Sequence, residues 1–450
     1  MFFRIALTLL VLLLMPWRMV TAQSFDASAL RLLQQMQSQP NDLARYVYLL
    51  QVTPTLRGTD QSLALQFMSF AQCELGIYTQ AVVGFPLAAR LPEQFTLPTT
   101  DAWRSAPAVD TIVDLARDRR LLLVSEAHHN AHTRRLTLAL LPRLRALGFN
   151  YFAAEALLGT DPELARRGYP IERSGTEYLR EPLYGEIVRT ALRLGFHVVA
   201  YDAGSAGQPR EDAQARNLYE SVFAHDPHAR LFVHAGYAHI DKRSGRLGKI
   251  EPMTMRLQEL AGVEALAIDQ TDIMESDWTT DDAWHRLQAI FPSDRPQVLL
   301  RRDGGTPWSA RPAAYDISVI LPPALSITAF GDLHAYGGEM GSKLTSLETT
   351  IRSPLAAKTS NLMQRPTWLA LDGARRPLPI SVTLCRGTVP CVVAARYAGE
   401  TGDAISADRY AFIADHAAST LYLRPGEYRL RASDVRGRTL SAQNVTVAGN

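Results

Sequence analysis

The chain has 450 residues, with 47 Lys and Arg against 45 Asp and Glu, and therefore a net charge of only +2. This length is enough for two or three domains with separate cores. The balanced charge, with no basic stripe, excludes a dedicated nucleic-acid binder. Three cysteines exclude a disulfide-dense scaffold and a cysteine-rich metal protein.

Residues 1–22 have the pattern of a secretory signal peptide. Arg4 precedes an apolar run at 5–15 that is too short to span a bilayer. The small residues Val20 and Ala22 then suit a signal peptidase. An uncleaved membrane anchor is the alternative. We expect an exported protein that is periplasmic or secreted.

Residues 23–106 have apolar residues at helical spacing, beginning with Ala27, Leu30 and Leu33. The stretch 71–85 resembles one tetratricopeptide-like (TPR-like) helical hairpin. Arrays of such hairpins need several repeats to be stable. The sequence therefore favours a helical cap on the next domain over a repeat array.

Residues 107–324 alternate short apolar runs with longer helical segments. The five clearest runs are 121–124, 151–154, 196–200, 231–233 and 265–268, and further strands are predicted at 297–300 and 316–321. Continuous apolar strands that alternate with helices are typical of a sheet buried on both faces. We predict an α/β domain with a mostly parallel sheet and helices on both faces.

Residues 325–366 are assigned to a linker region, and residues 367–450 to a small β-sandwich that serves as an accessory module. Short strands separated by turns favour the sandwich, and one of these strands is predicted at 368–371. In an oxidising compartment we expect Cys385 and Cys391 to form a disulfide rather than remain two core thiols. Cys73 is then left as a buried apolar thiol.

Titratable side chains follow the predicted strands of the α/β domain. Glu126 and His128 follow the first strand, Glu155 the second, Asp202 the third and His239 the fourth. In an open parallel sheet, ligands bind at the carboxyl ends of the strands. Eight of the 11 histidines lie between positions 128 and 239. The pattern predicts a site at this edge of the sheet.

Two chemistries suit these residues. Glu126 and Glu155 on neighbouring strands could share a proton and act as general acid or base. Alternatively, His128 and His132, four residues apart, could hold a divalent metal together with Glu155 and His239. A surface helix histidine is the competing interpretation of His132.

Three further residues are predicted to bind substrate. Arg216 could hold an anionic group or pair with Glu155 or Asp202, and an ordinary surface salt bridge is the alternative. Asp202 ends the third strand. Tyr237 could serve as a hydrogen-bond donor or a haem-iron ligand, or simply pack. Gly236 is expected to permit the turn that lets His239 face the sheet edge.

The segment Glu126-x-His128-x-Asn130 resembles the Gly-Glu-x-His-Asp-Asn segment of ChaN-like haem-uptake proteins. The strand that ends in Glu155, the pair Arg216-Asn217 and the segment Gly236-x-x-His239 continue the match. The same skeleton resembles that of erythromycin esterases and Tiki/TraB proteases. The resemblance covers residues 107–324 and neither flanking region.

Carried over residue by residue, the resemblance places Glu126, His128, Glu155 and His239 at the site of this superfamily. Ser125 stands where the pattern has Gly, and His129 stands where it has Asp. These departures put the ligand set in doubt.

The resemblance implies two functions, and a third remains open. The first is an ester or amide hydrolase in which Glu/His groups, or a divalent metal held by them, activate water. Glu155 would be the base, His128 and His239 metal ligands or oxyanion stabilisers, and Glu126 a ligand or proton shuttle. No Gly-x-Ser-x-Gly elbow supports a serine nucleophile.

The second function is binding of haem or an iron compound, with a Tyr or His ligand to the iron. The third is a non-catalytic scaffold. The expected partners are a small-molecule or peptide substrate, or haem, with a protein partner through the helical or β regions. No nucleic acid is expected.

Overall fold

The computed structural model describes residues 27–276, 282–324, 365–413 and 418–449. The predicted signal peptide and nearly all of the predicted linker lie outside these ranges. The chain divides into two compact units. The first, here the α/β unit, contains Leu87–Leu179 and Glu186–Pro322. The second, here the helical–β unit, contains Phe25–Pro86, Arg180–Gly185 and Pro323–Asn450.

The helices are, in chain order, α1 (Ala27–Gln37), α2 (Asp42–Val52), α3 (Gly58–Glu74), α4 (Tyr78–Val83), α5 (Ala108–Leu115), α6 (Arg134–Ala146), α7 (Leu164–Arg167), α8 (Pro182–Arg193), α9 (Gln208–Leu218), α10 (Met253–Ala261) and α11 (Ala283–Ile290). The strands are β1 (Trp103–Pro107), β2 (Leu121–Glu126), β3 (Tyr151–Ala154), β4 (His197–Val199), β5 (Leu231–Gly236), β6 (Ala265–Asp269), β7 (Gln297–Arg301), β8 (Ile317–Ser318), β9 (Arg376–Ser381), β10 (Cys391–Tyr397), β11 (Asp408–Phe412), β12 (Ala418–Leu423), β13 (Gly426–Asp434) and β14 (Thr439–Val447). None of the helices in the described ranges is long and apolar enough to cross a membrane.

The α/β unit is built on a six-stranded sheet in the order β4-β3-β5-β2-β6-β8, and all neighbouring strands are parallel. Every residue of β2 and of β5 is buried, as expected of central strands covered on both faces. The prediction of a mostly parallel α/β sheet is confirmed. The order places β2, β3 and β5 side by side, so their carboxyl ends meet.

The strand predicted at 297–300 does not extend this sheet. It is β7, which pairs antiparallel with β1 in a separate two-stranded ribbon. The sequence did not indicate β1, because its five residues include Arg104, Ser105 and Pro107 and lack a continuous apolar run.

The helical–β unit contains α1 to α4 and two antiparallel sheets, one of four strands (β11-β10-β13-β14) and one of two (β12-β9). Side chains of both sheets share one hydrophobic core, which includes Val393, Phe412, Leu421 and Leu430. This confirms the predicted antiparallel sandwich. The helices cluster with these strands as one compact unit, so the prediction of a helical cap on the next domain, the α/β domain, is wrong.

Two local features of this unit complete the fold. The strand predicted at 368–371 is wrong: Thr367–Ala370 is a single 3₁₀ turn, entered through Pro366. Cys385 and Cys391 are joined by a disulfide, with their Cα atoms 6.0 Å apart. Cys73 is buried and forms no disulfide within the described residues.

Candidate active site

The parallel sheet places the predicted site residues together at its carboxyl edge. In the register of β2 and β5, Glu126 lies opposite Gly236. In the register of β3 and β5, Ala154 lies opposite His234, so Glu155 follows immediately at the same edge. Glu126, Glu155 and the short turn after β5 are therefore neighbours in space although far apart in sequence.

The first pair at this edge joins Glu126 to His128. The Oε1 atom of Glu126 lies 2.6 Å from Nδ1 of His128, and its Oε2 atom lies 3.0 Å from the guanidinium of Arg134. Arg134 is fully buried and Glu126 is 1% exposed. Burial raises the pKa of Glu126, but the charges of Arg134 and His128 outweigh this effect and hold it well below its usual range.

The second pair joins His239 to Glu211 on α9. Nδ1 of His239 lies 2.8 Å from Oε1 of Glu211, which is fully buried. The backbone N–H of Met253, at the start of α10, donates to the same carboxylate at 2.7 Å. Burial lowers the pKa of His239, but the carboxylates of Glu211 and Glu155 outweigh it, so the pKa is raised.

Glu155 occupies the middle of the site. Its Oε1 atom accepts a hydrogen bond from Arg210 at 2.9 Å and lies 3.4 Å from Nε2 of His239. Its Oε2 atom accepts a hydrogen bond from the backbone N–H of Gly236. Burial raises the pKa of Glu155, but His239 and Arg210 outweigh it and lower the pKa to about 2. The carboxylate is ionised throughout the physiological range.

Gly236 brings His128 and Glu155 together because it lacks a side chain. A Cβ atom there would lie 2.6 Å from Cε1 and 2.7 Å from Nε2 of His128, and 3.0 Å from Oε2 of Glu155. The backbone of Gly236 is ordinary, with φ −73°. The expectation that glycine is needed for a turn is therefore wrong. Glycine is needed here for space.

The three carboxylates and two imidazoles form one alternating series. We call it the Glu/His chain, and its members in spatial order are Glu126, His128, Glu155, His239 and Glu211. Each imidazole has a carboxylate at its Nδ1 atom, which orients the ring. The three central members are buried but 6–7% exposed, whereas Glu126 and Glu211 at the two ends are 1% and 0% exposed.

Two tyrosines contact His128. The ring of Tyr178 stacks on the imidazole, with the centroids 4.0 Å apart. The ring of Tyr237 meets it edge to face at 5.2 Å. The hydroxyl of Tyr237 also lies 3.0 Å from Nδ1 of His129. Burial lowers the pKa of His129 to about 3, so this second histidine is neutral.

Three of the four metal ligands predicted from the sequence, His128, Glu155 and His239, lie in the Glu/His chain, and the fourth, His132, does not. In the described ranges, no group of three His, Cys, Asp or Glu side chains is arranged to hold a metal ion. His132 lies on a 3₁₀ turn, and α6 begins only at Arg134. The helical spacing assumed for His128 and His132 therefore does not exist. Burial lowers the pKa of His132 to about 3, so it is a buried neutral histidine rather than a surface one.

Two of the predicted substrate-binding residues have other positions. Arg216 is exposed on α9. Asp202 has a side chain only 2% exposed and accepts hydrogen bonds from Arg210 at 2.8 Å and from Gln214 at 2.6 Å. Asp202 therefore holds Arg210 in place.

Sequence reasoning missed four residues of the site, namely Arg134, Tyr178, Arg210 and Glu211. Arg210 and Glu211 are adjacent charged residues in the first turn of α9 and are both buried. Charged residues are almost never fully buried unless they are paired. The sequence feature that could have identified them is Gly-Gln-Pro at 207–209, which marks the start of this helix and places Arg210 and Glu211 in its first turn.

The comparisons with known proteins add little to this geometry. No family model and no curated protein matches the chain. Two solved structures of bacterial protein toxins are similar, with 22% and 19% identity over 36% and 37% of this chain and a TM-score of 0.28 each. The chain spans 37% and 38% of the length of those toxin chains. The type III effector HopBA1 is similar at 16% identity, with 40% of this chain and 84% of that chain covered and a TM-score of 0.27. Likenesses this weak carry no functional argument.

Proposed function

We propose that the protein is a hydrolase that cleaves an ester or amide bond with water activated by the Glu/His chain, without a metal ion. The observation that carries the proposal is the position of Glu155 between two imidazoles, each oriented by its own buried carboxylate. An imidazole with a carboxylate on one nitrogen is the base of many hydrolytic sites, because its other nitrogen is left to accept a proton.

His128 is the general base in this proposal. If Nδ1 of His128 donates to Glu126, then Nε2 carries the lone pair, and it is on this side of the ring that Gly236 and Glu155 approach. Water between Nε2 and Glu155 would lose a proton to His128 as it attacks the substrate. Glu155, with its pKa lowered to about 2, is a poor base, so it orients the water and stabilises the imidazolium.

His239 and Arg210 supply positive charge on the other side of Glu155. The raised pKa of His239 keeps this imidazole protonated further into the neutral range than an isolated histidine. Preorganised donors of this kind stabilise the oxyanion of a tetrahedral intermediate. Both residues are nearly buried, which strengthens the interaction because little water screens it.

The sequence resemblance supports the same class of reaction. Glu126, His128, Glu155 and His239 resemble the site residues of the superfamily that contains erythromycin esterases and Tiki/TraB proteases. The proposed substrate is a small molecule or a peptide, and the signal-peptide pattern favours action outside the cytoplasm, in the periplasm or after secretion.

The proposal is tested by turnover of chromogenic esters and amides with the chain beginning at Gln23, after treatment with a chelator. We expect saturable hydrolysis. Changing Glu126→Gln should lower kcat/KM by about 10²–10⁴-fold, because His128 loses the carboxylate that orients it. The matched control is Glu259→Gln on α10, whose carboxylate is 65% exposed, and it should leave turnover unchanged.

Three results would contradict the proposal. If no turnover depends on Glu126, the protein is not the hydrolase proposed here. Activity lost on chelation and restored by a divalent ion would remove the metal-free mechanism. A saturable haem absorption band, lost in Tyr237→Phe and without turnover, would favour the haem-binding alternative instead.

A further inference from the structure

Tyr237 has an unusual backbone conformation at the edge of the site. Its φ is +45°, in the left-handed region that residues with a Cβ rarely occupy. It directly follows Gly236, whose N–H donates to Glu155. Residues in such conformations cluster at functional sites.

The conformation places the phenol against both adjacent histidines. Its ring contacts the edge of His128, the proposed base, and its hydroxyl reaches Nδ1 of His129. Tyr237 is only half-buried, whereas His128 and His129 are 6% and 4% exposed. The phenol is therefore more exposed to solvent than either of the histidines that it contacts.

We propose that Tyr237 is the general acid of the reaction and donates its phenolic proton to the leaving group, with His129 as the positioning residue that steadies the resulting phenolate. This inference rests on the proposed hydrolase and adds a catalytic residue to it. Its consequence is a substrate class, namely alkyl esters and amides, whose leaving groups must be protonated as they depart.

The proton inventory of the proposed cycle balances. Water loses one proton to Nε2 of His128, and its oxygen bonds to the carbonyl carbon. The bond from carbon to the leaving oxygen or nitrogen then breaks, and the electron pair stays with the leaving atom. That atom takes the proton of Tyr237. The proton on His128 then returns to the phenolate through a water molecule, and the net change is the addition of one water to the substrate.

The role of His129 follows from its protonation state. With its pKa lowered to about 3 by burial, the ring is neutral and has one N–H donor. When that hydrogen is on Nδ1, it points at the Tyr237 oxygen 3.0 Å away and leaves the phenolic hydrogen for the leaving group. The same hydrogen bond stabilises the phenolate once the proton has gone.

The experiment compares two esters that have the same acyl group and different leaving groups, nitrophenolate and a simple alkoxide. Tyr237→Phe keeps the ring that contacts His128 and removes only the hydroxyl. We expect kcat/KM for the alkyl ester to fall by about 10²-fold or more, and that for the nitrophenyl ester to change by less than about threefold, because nitrophenolate leaves without a proton.

His129 provides the matched pair of variants. His129→Leu should reproduce the leaving-group dependence of Tyr237→Phe. His129→Asn, whose amide nitrogen lies near the position of Nδ1, should restore most of the alkyl-ester activity. Circular dichroism and thermal unfolding of each variant establish that it is folded.

Two results would overturn the inference while leaving the proposed function intact. Equal losses on both esters in Tyr237→Phe would make the residue structural, and no loss on either would remove it from the mechanism. If Glu126→Gln left both esters unaffected in the same assay, the proposed hydrolase itself would fall, and the inference with it.

Discussion

Both units bury carboxylates beside arginines, but among the described residues only the α/β unit also places buried carboxylates beside histidines. In the helical–β unit, Asp42 lies among three arginines, with Arg180 at 2.6 Å, Arg409 at 2.8 Å and Arg45 at 3.2 Å. In the α/β unit, the carboxylates of the Glu/His chain lie beside imidazoles. Arginine is always charged in proteins, whereas histidine gains and loses a proton near neutral pH. The first arrangement can only hold the chain together, and the second can also move a proton.

The histidines in the described part of the chain are also distributed unequally between the two units. Nine of the 11 histidines lie in the described ranges, and all nine belong to the α/β unit. The described part of the helical–β unit has none. We therefore expect pH to act on the α/β unit and to leave the arginine-paired carboxylates of the other unit unchanged.

The largest effect is expected for Arg210→Met. This change leaves Glu155 and Asp202 without their buried cation, so we expect a loss of about 3–5 kcal/mol in the free energy of unfolding. The ester turnover should fall as well. The matched control is Arg216→Met on the same helix, where an exposed side chain should matter by less than about 0.5 kcal/mol. Urea unfolding measures both variants, and equal effects would show that the site does not depend on Arg210.

A comparable loss of stability without a loss of turnover is expected for Asp42→Asn. Removing this charge takes away the carboxylate that Arg180 and Arg409 contact, while Arg45 keeps its ion pair with Glu74, and breaking a buried pair of this kind costs about 3 kcal/mol. The control is Asp114→Asn, whose partner Arg117 is 62% exposed, where we expect less than about 1 kcal/mol. Turnover per folded molecule should stay at the wild-type value. A fall in turnover per folded molecule would contradict the distinction between carboxylates that stabilise the fold and carboxylates that take part in proton transfer.

A smaller, graded effect is expected from acid. Burial lowers the pKa of His129 and His132 to about 3 and that of His234 to about 4. In the unfolded chain each would titrate near 6.5, so the unfolded state takes up protons first as the pH falls. Their contribution to the free energy of unfolding is complete above pH ~6.5. Below that pH, each histidine lowers the free energy of unfolding by roughly 1.4 kcal/mol per pH unit until its folded pKa is reached.

Hydrogen exchange at pH 7, 6 and 5 locates this acid effect. We expect β2, β3 and β5 to lose protection as the pH falls, while β10 and β13 of the helical–β unit keep theirs. Replacing His234 with Asn should reduce the loss of protection per pH unit in these strands of the α/β unit. Equal loss of protection in both units would mean that the histidines are not the source of the acid sensitivity.

The part of the site that the sequence predicted follows from one rule of parallel sheets. Glu126, Glu155 and His239 each follow a continuous apolar strand, and the carboxyl ends of such strands share an edge. The strands are recognisable because both of their faces are buried. The expectation that Glu126 and Glu155 lie on neighbouring strands is wrong, because β5 lies between β2 and β3.

The site residues that were not predicted lie outside the strand ends, where the rule for parallel strands does not apply. Arg210 and Glu211 are on a helix, and Tyr178 is in the long connection between β3 and α8. The resemblance to ChaN-like proteins includes the pair Arg216-Asn217, and it therefore points to Arg216 rather than to Arg210. Six residues along a helix rotate a side chain about 120° away from the starting face, so the two arginines cannot share a site.

The organisation of the helical–β unit could not be read from local patterns either. The ion pair between Asp42 and Arg409 joins positions 367 residues apart. Neither partner has a sequence neighbour that signals the pairing. Periodicity identified most helices and strands of this unit, with the strand predicted at 368–371 as an exception, but it does not say which of them pack together.

Gly236 gives the site a practical property. A single methyl group at this position would displace both His128 and Glu155, yet the position lies at the end of a strand whose hydrogen bonds it would not remove. Under the proposed function, Gly236→Ala would disturb the water-activating pair without replacing either side chain. Such a variant could be screened as bait: if it still binds the substrate but turns it over slowly, the bound molecule can be recovered from cell extracts and identified by mass.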